Sequence, residues 1–290
     1  MKPLLRRIRL VLEMIRFHHS VFALPFALIG MMLAARGWPS GPTLGWIVAA
    51  CVFARSAAMA FNRLADHELD ARNPRTAGWA LPAGLLTRRF VQVFTGICVA
   101  GFVLSAGMLN WLCLALSPVA LAILLGYSYT KRLSNLTHLA LGLALGIAPI
   151  GAWAAVRAEL AWTPMVLGFG VLLWTAGFDI IYSCQDYEHD LTAPLFSIPK
   201  ALGVPKALAI SSALHGGAFA AFLAVCFLGP LGPCYLTAVL AAGALLAYEH
   251  WIVRPTDLSR VNTAFFTING VISIGLFLGC WLDLGLGLSR

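Results

Sequence analysis

The chain has 290 residues, 60% of them apolar and only 11% charged, with a formal charge of +8. A soluble domain carries about 25% charged residues, and a mean hydropathy of +0.84 leaves too little polar surface to cover a body in water. A water-soluble protein is excluded. The excess of basic residues follows a topological pattern, described below, and is not read as a nucleic-acid surface.

Apolar runs near the ~20 residues that cross a bilayer predict nine spans, at 18–36, 43–65, 90–109, 111–130, 135–156, 162–184, 205–228, 231–253 and 261–285. Turn chemistry separates them, as at Gly37-Trp38-Pro39 and Gly229-Pro230-Leu231-Gly232-Pro233. The run from Val21 to Ala35 follows a basic start but is one of many, so it reads as a retained first span and not a signal peptide. Cys51, Cys98, Cys113, Cys184, Cys226, Cys234 and Cys280 are scattered without a C-x-x-C pair and read as packing residues. The expected fold is all-α: one polytopic membrane bundle of nine transmembrane helices over residues 1–290.

Basic residues set the orientation. Lys2, Arg6, Arg7, Arg9 and Arg16 precede span 1. Arg63, Arg72, Arg75, Arg88 and Arg89 follow span 2, and Lys131 and Arg132 follow span 4. Lys200 and Lys206 follow span 6, and Arg254 and Arg260 follow span 8. The opposite side has only Arg36, Arg157 and Arg290, and Arg55 lies within span 2. The positive-inside rule then puts the N-terminus in the cytoplasm.

The acidic residues concentrate on that same side. Asn62, Asp66 and Asp70 are spaced i, i+4, i+8, so a helix carries all three on one face, each step of four drifting only ~40°. Asp179, Asp186 and Asp190 share a second face, with Tyr182 near it, and Glu68 and Glu188 point elsewhere. Two facing carboxylate stripes repel unless a cation sits between them. Mg²⁺ takes one or two carboxylates plus phosphate oxygens, which points to ionisation of a phosphate ester with a diphosphate leaving group. The competing reading is that these acids only pair with loop arginines.

Lys131, Arg132, Arg72 and Arg75 suit diphosphate oxygens, or are ordinary topology signal. Arg55 lies seven residues before Asn62 and so shares its helical face. Within lipid it needs a partner, either a protein acid or the carboxylate of an aromatic substrate. His18, His19 and Ser20 open span 1 and read as interfacial; His67 and His189 flank the acidic motifs and point off the stripes.

These motifs resemble the UbiA superfamily of intramembrane prenyltransferases, over nearly the whole chain. Residues 55–84 (RSAAMAFNRLADHELDARNPRTAGWALPAG) are similar to its first signature, with the Asn-x3-Asp-x3-Asp core, Arg75-Thr76 and Leu81-Pro82-Ala83-Gly84. Residues 179–190 (DIIYSCQDYEHD) with 196–203 (FSIPKALG) are similar to the second, and Tyr127 and Lys131 match a Tyr-x3-Lys element. The resemblance implies Mg²⁺-dependent transfer of a prenyl group from its diphosphate to an aromatic ring at the inner face of the cell membrane. Asn62, Asp66, Asp70, Asp186 and Asp190, with Asp179 nearby, would hold the metal–diphosphate, and Lys131 and Tyr127 would attend the diphosphate. The look is nearest the 4-hydroxybenzoate polyprenyltransferase group of ubiquinone biosynthesis, and members with it also prenylate a carboxylated aromatic on the futalosine route to menaquinone. Arg63 departs from an Asp found in many relatives, and Trp79 from an Arg.

Other readings are a haem O synthase or chlorophyll-type synthase of the same superfamily, and a transporter using intramembrane acids. Inverted repeats and mid-membrane helix breaks mark many transporters; neither is visible here, and these acids sit at span ends.

Overall fold

The structure, a computed structural model, describes residues 2–287; the side chains of residues 2–7, 17 and 18 lie outside that description. The expectations for Lys2, Arg6, Arg7, His18 and Arg290 therefore fall outside the described side chains.

Apart from one isolated bridge between Arg254 and Asp257, the regular structure of the described residues is helical. Its helices are α1 (Lys2–Met14), α2 (Leu24–Ala35), α3 (Gly41–Ala65), α4 (His67–Arg72), α5 (Arg88–Leu109), α6 (Trp111–Thr130) and α7 (Thr137–Arg157). They continue as α8 (Trp162–Ser183), α9 (Tyr187–Thr192), α10 (Ile198–Leu202), α11 (Val204–Leu228), α12 (Pro233–Ile252) and α13 (Asn269–Gly285). Among the described residues eight helical segments are long and apolar enough to cross a membrane, and their bounds follow spans 2 to 9 within a few residues, except that the one beginning at Trp162 runs on to Thr192.

Span 1 differs from expectation. It is a bent pair, Ile8–Phe22 and Leu24–Ala35, turned by 45° and not one straight helix. Arg16 takes a left-handed conformation (φ 48°), a 3₁₀ turn runs over Phe17–Phe22, and Pro25 restarts the helix in its first turn. Proline has no N–H to donate, so it is tolerated at a helix start and not inside one. With the bent pair as one crossing, the count reaches nine.

Helix α8 is the axis of the bundle. It packs between α7 and α11, while α3 pairs with α5, α2 with α7, and α12 with α13. Apolar burial between helices drives little in lipid, so close van der Waals approach matters more. At the α7–α8 crossing a side chain on Gly142 would collide with the Leu172 carbonyl; between α2 and α7, one on Gly30 would collide with the Pro149 carbonyl. Phe22, Phe26, Trp174, Phe178, Phe222 and Phe265 fill the core around α8.

One polar cluster inside this core is matched. The Trp174 indole donates to Asn269 Oδ1 at 2.6 Å, and Asn269 Nδ2 donates to Glu249 Oε1 at 3.2 Å and to the Ala264 carbonyl at 2.9 Å. A π-helical turn, Thr263–Ile268, precedes α13. Such turns free a carbonyl from the regular ladder, and the Asn269 amide satisfies the one at Ala264. The turn carries Phe265, whose ring centroid sits 4.2 Å from that of Tyr182.

Helix ends at the opposite pole are tied together. Asn110 caps α6 by accepting the Cys113 N–H at 3.0 Å, and its amide donates to the Ala154 carbonyl of α7 at 2.8 Å. Asp283, fully buried at the end of α13, accepts the N–H groups of Gly232 (2.8 Å), Cys234 (3.2 Å) and Tyr235 (2.9 Å). A carboxylate at the start of α12 satisfies unpaired N–H groups and complements the helix dipole. Asp283→Ala strands buried donors and is expected to cost about 2–4 kcal/mol of stability, read as a lower midpoint of thermal unfolding in detergent.

Candidate active site

The two acidic motifs build the same local shape. Helix α3 stops at Ala65, Asp66 turns the chain at φ −94°, ψ 5°, and α4 restarts at His67. Helix α8 stops at Ser183, and after a 3₁₀ turn Asp186 bends at φ −95°, ψ 6° before α9 begins. Each motif was expected to be one continuous helical face, and that is corrected here: the helix breaks at its aspartate, in the sparsely used bridge region. Asp70 stays in step through a hydrogen bond from its N–H to the Asp66 carbonyl, 2.7 Å. Glu68 and Glu188 are exposed, as expected.

Basic side chains compensate three of the aspartates. The nearly buried Asp66 carboxylate accepts from Lys131 Nζ at 2.6 Å, Arg132 Nη2 at 3.0 Å and Asn62 Nδ2 at 2.9 Å. Asp70 accepts from Arg63 Nη1 at 2.9 Å. Burial pushes the Asp70 carboxyl above the usual carboxylate range, with Arg63 pulling it back. Asp186 is gripped by the Arg75 fork, at 2.9 Å from Nε and 2.7 Å from Nη2, and Arg75 also reaches the Tyr182 hydroxyl at 3.2 Å. Asp190 accepts from Ser197 Oγ at 3.4 Å. Pairing of acids with basic residues, the competing reading of the motifs, is thus present at both motifs.

The two departures from the family pattern meet each other. The Arg63 guanidinium lies 4.1 Å from the Trp79 ring centroid, and Arg16 and Arg75 approach the same ring at 4.9 and 5.8 Å. Indole is the best aromatic surface for a cation, so Trp79 gathers three arginines at this pole.

A cavity of about 1120 Å³ runs from the motifs into the bundle. Asn62, Asp66, Asp70, Asp186, Asp190, Arg72, Arg75 and Lys131 line its charged end. Arg55, Tyr127 and Asp179 also line it, and Ile47, Phe102, Leu116 and Val119 belong to its apolar wall. Val119, in this apolar wall, is itself exposed.

Three expectations change. Arg132 does not line the cavity. Its guanidinium donates to the Ala65 carbonyl at 2.7 Å and the Ser128 carbonyl at 3.0 Å, which closes the end of α3. Arg55 has no protein acid for a partner: its Nε is buried without a hydrogen bond, and it forms no ion pair among the described residues. His189, expected off the stripe, lines the cavity with a buried, unpartnered Nε2. Among the described residues no three His, Cys, Asp or Glu side chains converge on a metal-sized point.

One contact had no sequence signal. Asp179 Oδ2 accepts from Nδ1 of His138, 41 positions away, at 2.7 Å. His138 is a single histidine at the start of α7, outside every motif, and only the fold brings it to α8.

Residues 23–271 match the UbiA prenyltransferase family. The chain belongs to that family. A 4-hydroxybenzoate octaprenyltransferase from Alkalilimnicola ehrlichii is 30% identical over 259 residues, 89% of this chain and 87% of that protein. One from Vibrio atlanticus is also 30% identical, over 87% of this chain and 89% of that protein. Among solved structures, a UbiA homologue from Aeropyrum pernix in its apo form superposes with a TM-score of 0.81, at 33% identity over 90% of this chain and 97% of that one. A UbiA homologue from Archaeoglobus fulgidus bound to DMAPP and Mg²⁺ shares the fold, with a TM-score of 0.68 at 16% identity over 92% and 98% of the chains.

The ion pairs make a stability prediction. Replacing both Lys131 and Arg132 by Met leaves Asp66 buried without a cation, at an expected cost of about 3–5 kcal/mol. Adding Asp66→Asn to that variant should recover most of the loss in the same detergent melting measurement.

Proposed function

We propose that this protein is a Mg²⁺-dependent aromatic prenyltransferase that transfers a polyprenyl group from its diphosphate to an aromatic acid, 4-hydroxybenzoate or a related carboxylated precursor in quinone biosynthesis. The observation that carries this reading is the pair of matching aspartate joints, Asp66 and Asp186, facing one cavity that is charged at one end and apolar at the other. A prenyl diphosphate has the same division: an anionic head and a long hydrocarbon tail.

The donor set fits magnesium. The metal keeps few protein ligands and completes its shell with phosphate oxygens and water, which suits separated carboxylates that form no closed protein cage. Asn62, Asp66, Asp70, Asp186 and Asp190 would hold it. Bound there, magnesium supplies positive charge to the departing diphosphate. Lys131, Arg75 and Arg72, with the Tyr127 hydroxyl, then take diphosphate oxygens, the first two after releasing their carboxylates. The carbon–oxygen bond breaks with both electrons going to the diphosphate. A ring carbon of the acceptor forms the new carbon–carbon bond and loses its proton.

Arg55 favours a carboxylated acceptor, because an unpaired guanidinium beside an apolar cavity binds a carboxylate as a fork. Haem and chlorophyll-type acceptors also carry carboxylates, and what supports a hydroxybenzoate over them is the 30% identity to 4-hydroxybenzoate octaprenyltransferases. A transporter reading explains neither the helix breaks at both aspartates nor the family match. The basic residues at the ends of the even-numbered spans, together with the bacterial origin of the relatives, support an inner-membrane protein whose charged pole faces the cytoplasm.

The test is an assay of the detergent-purified chain with radiolabelled prenyl diphosphate, Mg²⁺ and a panel of aromatic acids. Asp66→Ala and Asp186→Ala should abolish product, as should chelation of the metal. Arg55→Ala removes a charge-assisted contact of about 1.5–3 kcal/mol and should raise the acceptor KM about 10- to 100-fold. Full activity in both aspartate variants would reject the reading.

A further inference from the structure

We propose that His138 is a positioning residue: it aims the Asp179 carboxylate at the ring hydroxyl of the aromatic acceptor, and so sets Asp179 apart from the metal-holding aspartates. This rests on the prenyl-transfer reading above.

The geometry separates Asp179 from its neighbours. Asp66, Asp70 and Asp186 are paired with lysine or arginine. Asp179 is paired with an imidazole. A carboxylate neutralised by a mobile side-chain cation is ready to exchange it for another cation. A carboxylate held by a packed ring, with no long flexible chain to swing away, keeps its place.

The ring is fixed from both sides. His138 is only 2% exposed. Its Nε2 faces the backbone N–H of Ile198 at 3.4 Å, so Nε2 presents the lone pair and the proton lies on Nδ1, toward Asp179. Ile198 directly follows Ser197, which donates to Asp190. One histidine thus links the start of α7, the end of α8 and the segment that supports the second motif.

Asp179 Oδ2 is occupied by this bond, and the carboxylate still lines the cavity shared with Arg55 and Tyr127. A para-hydroxylated aromatic acid has two polar ends. With its carboxylate on Arg55, its hydroxyl donates to Asp179. That hydrogen bond pushes electron density into the ring as the ring carbon attacks the allylic carbon. No proton needs to reach His138, whose task is orientation.

The test uses His138→Ala and His138→Gln in the full chain, the glutamine keeping an N–H donor for Asp179. Steady-state kinetics would be measured with a series of 4-hydroxybenzoates whose ring substituents change the acidity of the hydroxyl. Prenyl diphosphate binding would be followed separately, by thermal shift with Mg²⁺. His138→Ala should lower kcat about tenfold or more, steepen the dependence of rate on hydroxyl acidity, and leave prenyl diphosphate binding unchanged; His138→Gln should recover most of the rate. An unchanged kcat in His138→Ala would overturn the proposal, as would equal losses in both variants accompanied by loss of prenyl diphosphate binding. Absence of turnover of every hydroxybenzoate by the unsubstituted enzyme would overturn the acceptor assignment itself, and this proposal with it.

Discussion

The architecture depends on one electrostatic constraint: carboxylates gathered at one end of a membrane bundle need positive charge close by. Two unit charges 4 Å apart interact by about 4 kcal/mol at the effective dielectric of a protein surface, and a buried carboxylate without a partner costs more than a helix end contributes. The chain answers with its own cations. Lys131 and Arg132 come from the end of α6, Arg63 from the last turn of α3, and Arg75 from the loop beyond α4. Each pair joins segments that sequence order keeps apart or that a helix break separates. The ion pairs therefore fold the pole as well as neutralise it, and Arg75 on Asp186 draws the loop after the first motif against the second.

This makes the pole a place of exchange. A metal-bound diphosphate brings both signs of charge, the metal for the carboxylates and the phosphate oxygens for the lysine and arginines. Lys131 and Arg75 sit in the cavity wall and can pass from one to the other. Arg132, outside the cavity lining, holds both the Asp66 carboxylate and the α3 carbonyl end. Under the proposed function, ion pairing and metal binding would be successive states of one site.

Much of this was legible in the sequence. Spans 2 to 9 came from apolar run length, and the shared pole from the placement of basic residues. The resemblance between Asp66-His67-Glu68-Leu69-Asp70 and Asp186-Tyr187-Glu188-His189-Asp190 was also present in the letters. Helical spacing masked its meaning, because a step of four looks identical whether the helix runs through the first aspartate or restarts after it. The bend in span 1 was hidden for a similar reason: apolar content measures length in the membrane and is silent on Arg16 adopting a left-handed turn. Arg132 was misjudged because sequence places a residue at a pole but does not aim its side chain.

His138 and the Glu249–Asn269–Trp174 group show the deeper limit. Neither has a motif, since a motif records neighbours along the chain and these residues are neighbours only across it. The Asn269 amide is wedged between a carboxyl and the carbonyl that the π-helical turn leaves unpaired. The turn sets Phe265 against Tyr182, and Tyr182 meets Arg75, which holds Asp186. A buried polar group in the bundle core thus reaches the second aspartate joint through four contacts, none of them between residues adjacent in sequence. The wall of the cavity is thus shaped by hydrogen bonds that lie behind it, in the packing of the helices.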